Sequence, residues 1–237
     1  MSDAEVSTAT VGRLPIYLRS LIDMASDDVA SVSSARLAEE VGVNSATLRR
    51  DLNALDIRGT RGVGYDVKYL VAAISRVLGV HQEWPVAVIG VGNLGRALAN
   101  YQGMSERGFP VRALFDNDGQ KVGSEVAGLI VDPIADLEAI AAERGILVAV
   151  IATPAAVGQS VCDAVVAARI PSILNFTGNT LDVPDGVVVR RVDLATELQI
   201  LSFYQQRGSA ASRLGFSYFV DVDGPVLARS GDGTSSD

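Results

Sequence analysis

The segment at residues 85–95, PVAVIGVGNLG, constrains the fold more than any other part of the chain. Four apolar residues, Val86–Ile89, run directly into Gly90, and Gly92 and Gly95 complete the spacing G-x-G-x-x-G. An uninterrupted apolar run of this kind is typical of a parallel strand buried on both faces. The glycines allow a tight turn, close approach of the backbone to a pyrophosphate, and close packing of a following helix. The segment therefore predicts a strand, a phosphate-binding turn and a helix.

The residues after this motif favour a dinucleotide site over a plain structural turn, which is the alternative for a glycine motif taken alone. A helix is predicted from Leu94 onward, through LGRALANYQGM, and a second strand, Val111–Phe115, ends at Asp116. The acid follows the last glycine by about 20 residues, where a carboxylate accepts hydrogen bonds from an adenosine ribose. We therefore expect the pyrophosphate at the glycine turn and the ribose at Asp116.

Length and composition bound the class of protein. The 237 residues allow one large domain or two modest ones, and no apolar run approaches the roughly 20 residues that span a bilayer. The N-terminus lacks the basic start and apolar stretch of a secretion signal. Cys162 is the only cysteine, which excludes a disulfide framework and a cysteine-based metal site. The sequence predicts a cytoplasmic protein with no membrane association and no metal.

Charge is distributed unevenly along the chain. The net charge of −8 argues against indiscriminate binding to nucleic acid. Residues 1–80 are nearly balanced, with nine Arg and Lys against ten Asp and Glu, whereas residues 81–237 have eleven against eighteen. Four arginines crowd the segment 49–61. Two parts with such different electrostatics indicate two separate tasks.

The first 80 residues have the pattern of a helix-turn-helix. Residues 1–10 are predicted to be a flexible leader, and apolar residues at helical spacing predict a first helix over residues 11–24. Ser33 or Ser34 is suited to cap a second helix, SARLAEEV, which Gly42 ends. A third helix, SATLRRDLNAL, follows within a few residues. A small helical bundle with an ordinary turn is the alternative interpretation.

The third helix, capped by Asn44 or Ser45, has the composition of a recognition helix. Its apolar stripe is formed by leucines, which leaves Thr47, Arg49 and Arg50 on the other face. A helix in the major groove needs small residues near its N-terminus and arginines that reach guanine edges or phosphates. This pattern favours DNA binding over a simple bundle.

The segment 58–67, RGTRGVGYDV, predicts a β-wing after the recognition helix, with Arg61 at a tip that reaches a minor groove. An ordinary surface hairpin is the alternative. A further helix, Tyr69–Leu78, leads through a linker at residues 79–83 to the glycine strand. His81, the only histidine, lies in this linker and is expected to be structural.

Strands and helices alternate after Asp116. Further strands are predicted near residues 129–131, 147–152, 173–176 and 187–192, with helices over 134–144 and from Thr153-Pro154-Ala155 to about 168. This alternation predicts right-handed crossovers and a doubly wound parallel sheet. Ligands of such sheets bind beyond the carboxyl ends of the strands. We therefore expect one crevice that is lined by Gly90, Asp116, Thr153 and Asn175.

The last predicted helix, Leu194–Tyr204, is strongly apolar. Packing on its own sheet is the alternative, but we expect it to join subunits. Residues 208–237 show no clear periodicity and are predicted to be a largely disordered tail.

Taken together, the chain resembles the family of redox-sensing transcriptional repressors named Rex over about residues 10–206. The resemblance rests on strings that occur in order along both halves of the chain: TVGRLPIYLR (10–19), RRDL (49–52), GTRGVGYDV (59–67), IGVGNLGRALANY (89–101), FDND…KVG (115–123), ILNF (173–176) and VDLATELQILSFY (192–204). A winged helix followed by a Rossmann domain is an uncommon combination, which makes the resemblance specific.

The resemblance implies an organisation and a function. The expected parts are a winged-helix DNA-binding domain (11–80), a Rossmann domain (81–192) and a C-terminal helix exchanged between subunits (193–207). It implies a homodimer that binds NADH and NAD+, grips double-stranded operator DNA with an inverted repeat when NADH is scarce, and releases it when NADH binds. The implied protein is a regulator, with no catalytic residue and no metal.

The resemblance also implies roles for individual residues. The expected cofactor-binding residues are Gly90, Val91, Gly92, Asn93, Leu94, Gly95, Asp116, Asn117, Lys121, Thr153, Pro154, Asn175, Phe176 and Thr177. The expected redox-sensing and interface residues are Tyr101, Asp193 and Leu194. The expected DNA-binding residues are Arg13, Arg19, Ser45, Thr47, Arg49, Arg50, Arg58, Thr60, Arg61 and Gly62.

Two other functions fit parts of the pattern. An NAD-dependent oxidoreductase needs an acid or base at the reacting carbonyl, but the only histidine lies in the linker and no lysine follows Thr153-Pro154 at the expected place. A regulator that binds coenzyme A is compatible with the glycine turn. Asp116 argues against it, because a carboxylate repels the ribose phosphate of coenzyme A.

Overall fold

The computed structural model describes residues 6–211, 216–219 and 227–230, with side chains described through residue 206. The chain divides into two compact units, one built on residues 1–81 and the other on residues 82–202, and the described residues from Phe203 onward group with the first. Each unit has a hydrophobic core of its own.

The first unit consists of four helices and a two-stranded antiparallel sheet. Its elements are α1 (Thr8–Ser26), β1 (Ser31–Val32), α2 (Ser34–Glu40), α3 (Ser45–Ala54), β2 (Tyr65–Asp66) and α4 (Val67–Val77). Each helix begins at a side chain that accepts a hydrogen bond from a backbone N–H of its first turn, which satisfies one otherwise unpaired donor. The capping residues are Ser7, Ser33, Asn44 and Asp66.

The predicted flexible leader is too long. Helix α1 begins at Thr8, and Thr10 is buried against the core, so residues 6–10 are ordered parts of the first unit. The Ser7 cap is the local reason, because its hydroxyl accepts from Thr10 N at 3.2 Å. Residues 1–5 of the predicted leader lie outside the described residues. Helix α4 likewise starts at Val67, two residues before the predicted start, because Asp66 caps it.

The turn between β2 and the recognition helix α3 forms a short wing. Thr60 and Gly64 pair in an isolated antiparallel bridge, and Gly62 at its tip has φ +82°. Gly64 lies against the backbone of Val32 so closely that a Cβ there would overlap the Val32 carbonyl oxygen. The helix-turn-helix and the wing together confirm the predicted winged-helix fold.

The second unit is a seven-stranded sheet with helices between its strands. Its elements are β3 (Val86–Ile89), α5 (Asn93–Ala99), α6 (Gln102–Ser105), β4 (Val111–Asp116), β5 (Glu125–Val126), β6 (Leu129–Pro133), α7 (Leu137–Arg144), β7 (Val148–Ile151), α8 (Gly158–Ala167), β8 (Ser172–Asn175) and β9 (Val188–Arg191). Short 3₁₀ turns at Ile134–Asp136 and Ala155–Val157 precede α7 and α8.

The strand order is β5-β6-β4-β3-β7-β8-β9, and every neighbouring pair is parallel except β5 with β6. The order reverses between β3 and β7, so this is a doubly wound sheet with its switch point at the glycine strand. All four residues of β3 are buried, as its unbroken apolar run predicts. The Rossmann-type fold is thereby confirmed.

Two helical predictions differ from the structure. The helix after the glycine motif stops at Ala99, and α6 starts only at Gln102, with Tyr101 in an extended conformation between them (φ −80°, ψ 98°). The last helix, α9 (Leu194–Ala211), continues beyond Tyr204, where the helix is predicted to end, and beyond residue 207, the predicted limit of the exchanged segment. In the predicted tail, Phe216–Phe219 (β10) pairs antiparallel with Leu227–Ser230 (β11), and its other residues beyond 211 lie outside the described ones.

Candidate functional site

A crevice of about 460 Å³ opens at the carboxyl ends of β3, β4 and β7, at the switch point of the sheet. Parallel strands leave a gap here because the helices on either side depart to opposite faces. Seven of the predicted cofactor-binding residues line the crevice: Gly90, Gly92, Asp116, Asn117, Lys121, Thr153 and Pro154. Its apolar part is formed by Ile89, Ala152, Ile134, Val157 and Val161.

The three glycines of the motif have different surroundings. Gly90 has φ +94°, and a Cβ there would lie 2.8 Å from the Ala152 carbonyl oxygen. A Cβ on Gly95 would overlap the carbonyl oxygen of Gly90, so Gly95 lets α5 pack directly on the turn. Gly92 has no atom within 4 Å of such a Cβ. The first and third glycines therefore shape the turn, while the second leaves open space in the crevice for a ligand.

Asp116 holds the turn and faces the crevice. Its Oδ2 accepts from Val91 N at 2.8 Å and from Lys121 Nζ at 3.0 Å, and its Oδ1 accepts from Asp118 N at 2.9 Å. Burial opposes ionisation, but the hydrogen bonds from the Asp118 and Val91 backbone and from Lys121 outweigh it and lower the pKa of Asp116 below its ordinary value. The carboxylate is thus ionised at neutral pH and remains part of the crevice wall.

Thr153 offers a polar atom that the chain itself does not use. Its Oγ1 is buried and has no hydrogen-bond partner among the described residues. Buried hydroxyls are normally paired, so an unpaired one that lines a crevice suits a ligand donor or acceptor. The open space at Gly92, the Asp116 carboxylate and the adjacent apolar wall fit a dinucleotide with a free ribose diol.

Three predicted cofactor residues at and directly after the end of β8 do not line this crevice. Asn175 is 1% exposed, and its side chain bonds within its own loop, accepting from Thr177 N and Oγ1 and donating to the Asn179 carbonyl oxygen. Thr177 packs against Gly158 at the start of α8. Phe176 lies in the apolar cluster on one face of the sheet. Asn175 ends β8 but does not line this crevice, because its amide closes its own loop, and its role in cofactor binding stays a prediction.

The remaining motif residues are placed beside the crevice. The Val91 side chain is buried and its backbone N–H is bonded to Asp116, so Val91 holds the turn. Asn93 and Leu94 are exposed at the start of α5, which no side chain caps.

Sequence reasoning missed the apolar wall residues Ile134, Val157 and Val161. A detectable signal existed for Ile134, which directly follows β6 and begins the next helical segment, whereas Val157 and Val161 lie on the helical turns that follow β7.

The predicted sensing residues occupy other positions. Tyr101 lines a second cavity, of about 370 Å³, with Asn100, Ser105 and Arg112. Its ring lies across Gly103, where a Cβ would come within 2.6 Å of Tyr101 Oη. Asp193 caps α9, because its carboxylate accepts from Ala195 N, Thr196 N and Thr196 Oγ1. These bonds, chiefly those from Thr196, lower the pKa of Asp193.

The first unit presents an exposed basic surface on α3 and the wing. Arg49 and Arg50 are exposed on α3, whereas Leu48, Asp51 and Leu52 are buried. Ser45 and Thr47, at the start of α3, are half-buried. The residues exposed around the wing are Arg58, Thr60, Arg61 and Gly62, and Arg19 is exposed on α1. A helix with cations on one face and a basic turn beyond it suits the major groove and an adjacent minor groove.

Arg13 differs from the other predicted DNA-binding arginines. Its guanidinium donates from Nε to Asp51 Oδ2 at 2.7 Å and from Nη2 to Asp51 Oδ1 at 2.8 Å, and its side chain is only 12% exposed. Thr10 Oγ1 (3.0 Å) and Tyr17 Oη (2.8 Å) donate to the same carboxylate. The DNA contact implied for Arg13 stays a prediction, and the structure shows that two of its guanidinium nitrogens are bonded to Asp51.

Among the described residues, no group of three or more His, Cys, Asp and Glu side chains is arranged to hold a metal ion. No helix within residues 6–211 is both long and apolar enough to cross a membrane.

A winged-helix unit followed in the chain by a dinucleotide-type sheet defines the class of protein. Comparisons with known proteins define the family to which the chain belongs. Residues 5–53 match the family described as "Putative DNA-binding protein N-terminus", and residues 81–178 match the CoA binding domain. The redox-sensing transcriptional repressor Rex of Streptomyces griseus subsp. griseus is 54% identical over 85% of this chain and 80% of its own. That of Carboxydothermus hydrogenoformans is 42% identical over 87% of this chain and 100% of its own.

Solved structures agree with these relatives. RSP, a Rex-family repressor, is 32% identical in its complex with β-NAD+ and operator DNA, with a TM-score of 0.81 over 88% of this chain and 95% of that one. Its complex with β-NADH has 31% identity and a TM-score of 0.80 over 88% of this chain and 98% of that one. The chain belongs to the Rex family of redox-sensing transcriptional repressors.

Proposed function

We propose that this protein is a transcriptional repressor that binds operator DNA and releases it when NADH binds. The observation that carries the proposal is the pairing, in one Rex-family chain, of a basic recognition helix with a crevice suited to a dinucleotide. RSP has been solved with operator DNA and NAD+, and separately with NADH. The proposed activity is regulation, without turnover of the nucleotide, and the proposed location is the cytoplasm.

The proposed DNA contacts lie on α3 and the wing. Arg49 and Arg50 reach bases or phosphates in a major groove, and Arg61, with Gly62 beside it, enters a minor groove. Secondary contacts come from Arg19, Ser45, Thr47, Arg58 and Thr60. A contact by Arg13 is also proposed, made by the part of its guanidinium that faces away from Asp51.

These contacts are tested on a DNA duplex that the native chain enriches from a library of randomised sequences. We call it the selected duplex. A base-reading arginine replaced by alanine weakens binding by about 1–3 kcal/mol and relaxes the preference at one position. A phosphate-contacting arginine weakens binding to all sequences and reduces the salt slope by about one unit. Intact binding by Arg49→Ala, Arg50→Ala and Arg61→Ala alike would remove the basis for the proposal.

The proposed effector site is the crevice. We assign the pyrophosphate to the turn at Gly90 and Gly92, with the backbone at Asn93 and Leu94, and the adenosine ribose to Asp116. Lys121 and Asn117 flank that carboxylate, and Thr153 supplies the unused hydroxyl. Phe176 and Thr177 lie outside the crevice. We propose that they contact the cofactor only if their loop moves toward it.

The proposed assembly is a homodimer that exchanges helix α9. Leu194, Leu198 and Leu201 are spaced four and three residues apart, so they share one face of the helix. All three are more than half exposed, at 62%, 65% and 57%. Burying such a stripe against a second copy is the favourable outcome in water. The proposed domain limits are 11–80, 81–192 and 193–207, with the first extended to Thr8 by the observed start of α1.

The proposed switch requires NADH to discriminate between two states of the dimer. A ligand moves a conformational equilibrium only by its differential affinity for the two states. Moving the population from mostly DNA-bound to mostly released requires that NADH prefer the released state by roughly 10⁴-fold. Two cofactor sites in a dimer, each with a preference of about 100-fold, supply that factor. Tyr101 and Asp193 are the proposed discriminating pair, and Tyr101→Phe is expected to bind NADH but to release DNA poorly.

The test is fluorescence anisotropy of the labelled selected duplex during titration with NADH, NAD+ and coenzyme A. The proposal predicts release by NADH, weaker release by NAD+, and none by coenzyme A. Coenzyme A is included because residues 81–178 match a domain family described by that ligand. Consumption of NADH during the titration would favour an oxidoreductase, and release by coenzyme A alone would favour a regulator of that class.

A further inference from the structure

Helix α3 carries one charged residue on its buried side. Leu48, Asp51 and Leu52 are three and four residues apart, so they lie on one face, while Arg49 and Arg50 point away from it. Asp51 is only 1% exposed. A buried carboxylate is unfavourable unless it is paired and hydrogen-bonded, and an apolar residue at this position would complete the stripe more simply. The helix that carries the recognition arginines therefore contains an acid that its packing does not require.

The partners of Asp51 all lie on α1. Each carboxylate oxygen accepts two hydrogen bonds, and the donors are Thr10, Arg13 and Tyr17. These three are spaced by three and four residues, so they share one face of α1 over two turns. We name this group, Thr10, Arg13, Tyr17 and Asp51, the Asp51 anchor. Arg13 contributes a planar fork that matches a carboxylate in two bonds, which fixes direction as well as distance.

We propose that Asp51 is a positioning residue for DNA recognition, which sets the rotation of α3 about its own axis relative to α1. The proposal rests on the proposed function, because it matters only if α3 reads DNA. The anchor determines the direction in which Arg49 and Arg50 leave the helix. Specific binding then depends on the anchor more than the folding of the first unit does.

The physical basis is the difference between apolar and directional contacts. Leu48 and Leu52 bury surface whichever way the helix is turned by a few degrees, because apolar contact is non-directional. A helix with its side chains has a radius of about 5–6 Å, so a rotation of about 20° moves its outer atoms by roughly 2 Å. Such a shift breaks a hydrogen bond to a base edge. Four hydrogen bonds to one carboxylate resist it.

Replacement of the ion pair by apolar residues separates positioning from stability. A buried ion pair replaced by well-packed apolar residues of similar volume often leaves a protein as stable as before. We therefore choose the double variant Arg13→Met with Asp51→Leu in the full chain. The matched control, Asp23→Leu with Arg76→Met, makes the same change of composition at exposed positions of α1 and α4.

The readout is the ratio of affinities for the selected duplex and for the unselected random pool. The double variant is expected to stay folded, with a melting temperature about 5–15 °C below that of the native chain, because the buried Tyr17 hydroxyl loses its acceptor. It is expected to bind the random pool within about threefold of native, and to lose at least tenfold of its preference for the selected duplex. The control is expected to keep that preference. A folded double variant with native preference would overturn the proposal.

Two more conservative substitutions in the Asp51 anchor test the positioning role of Asp51 if the double variant does not fold. Tyr17→Phe removes one hydrogen bond and keeps the ring, and Arg13→Lys keeps the charge but removes the fork. Both are expected to lower the preference for the selected duplex by severalfold while NADH affinity stays native; unchanged preference in both would overturn the proposal. A native chain that enriches no duplex would instead refute the proposed function itself.

Discussion

Each unit of the chain contains a carboxylate that gathers hydrogen-bond donors, and the two differ in what they leave for a ligand. Asp51 takes four donors from α1 and is 1% exposed. Asp116 takes two backbone N–H groups and Lys121, and it remains on the wall of an open crevice. The same type of side chain is thus closed off by its partners in the first unit and left facing an open crevice in the second.

The arginine and lysine partners follow the same division. Arg13 binds its carboxylate with two nitrogens and is nearly buried, whereas Lys121 is 31% exposed and also lies 3.6 Å from Asp118. A buried guanidinium that donates through two nitrogens holds one geometry, whereas the ammonium of a flexible lysine side chain can exchange partners. Charge alone does not distinguish a structural polar group from one that is free to bind a ligand. The number of hydrogen bonds that the group already makes, and its exposure to solvent, do distinguish them.

The largest expected effect comes from breaking the buried pair on one side only. Arg13→Ala leaves Asp51 buried without its counter-charge and is expected to destabilise the first unit by about 3–5 kcal/mol. Chemical denaturation followed by circular dichroism measures it. The matched comparison is Arg112→Ala, whose ion pair with Glu83 is 52% and 64% exposed and is expected to contribute about 0–1 kcal/mol. Equal losses in the two variants would remove the distinction between the pairs.

A methyl group should be costly at Gly95 in the glycine turn and tolerated at Gly119 in the loop after β4. Gly95→Ala forces a Cβ into the carbonyl oxygen of Gly90 and is expected to cost about 1–3 kcal/mol of stability together with NADH affinity. Gly119→Ala, where a Cβ meets no atom within 4 Å, is the control and is expected to be neutral. Calorimetric titration with NADH measures both. Native affinity in Gly95→Ala would mean that the turn does not shape the nucleotide site.

Asp116 should select NADH over NADPH, because a 2′-phosphate would meet a carboxylate. Asp116→Asn is expected to narrow that preference by about tenfold, or about 1.4 kcal/mol. Lys121→Met is expected to widen it, since it removes the cation 3.0 Å from Asp116 Oδ2. Dissociation constants for both nucleotides, measured on each variant, test this pair of opposite shifts. Equal affinity of the native chain for NADH and NADPH would show the ribose assignment to be wrong.

The smallest expected effect is on the acid side of the stability profile. Burial raises the pKa of Asp51, but hydrogen bonds from Arg13, Tyr17 and Thr10 outweigh it, so the pKa lies below the ordinary value of 3.8. A group with a lowered folded pKa stabilises the fold above its unfolded pKa and loses that contribution as pH falls through the folded value. The free energy of unfolding of the first unit should therefore decrease as the pH is lowered below about 4. The Arg13→Met, Asp51→Leu variant should show a flatter profile by denaturation at several pH values.

Much of the fold could be predicted because its signals are local. The apolar run at Val86–Ile89 and the glycine spacing specify a buried strand and its turn, and the switch-point crevice follows from the alternation of strands and helices. Seven predicted residues line that crevice for this reason. Caps such as Ser33 and Asn44 were predictable from residue type alone.

The remaining features depend on contacts between distant residues. Arg13 and Asp51 are 38 residues apart, and helical periodicity indicates only that each lies on a helix. The acid in RRDL stands on the apolar stripe, which was a usable signal for a buried partner. Asn175 ends a strand as predicted, but a strand end does not determine whether its amide faces the crevice or closes its own loop.

The central claim is that the cofactor site and the DNA surface are coupled, and the NADH affinity measured with and without DNA tests it most directly. Coupling between two ligands is reciprocal, so DNA must weaken NADH binding by the factor by which NADH weakens DNA binding. Calorimetric titration of NADH into the protein alone, and into the protein saturated with the selected duplex, is expected to show about 100-fold weaker binding per site in the complex. Equal NADH affinity in the two titrations would contradict the claim.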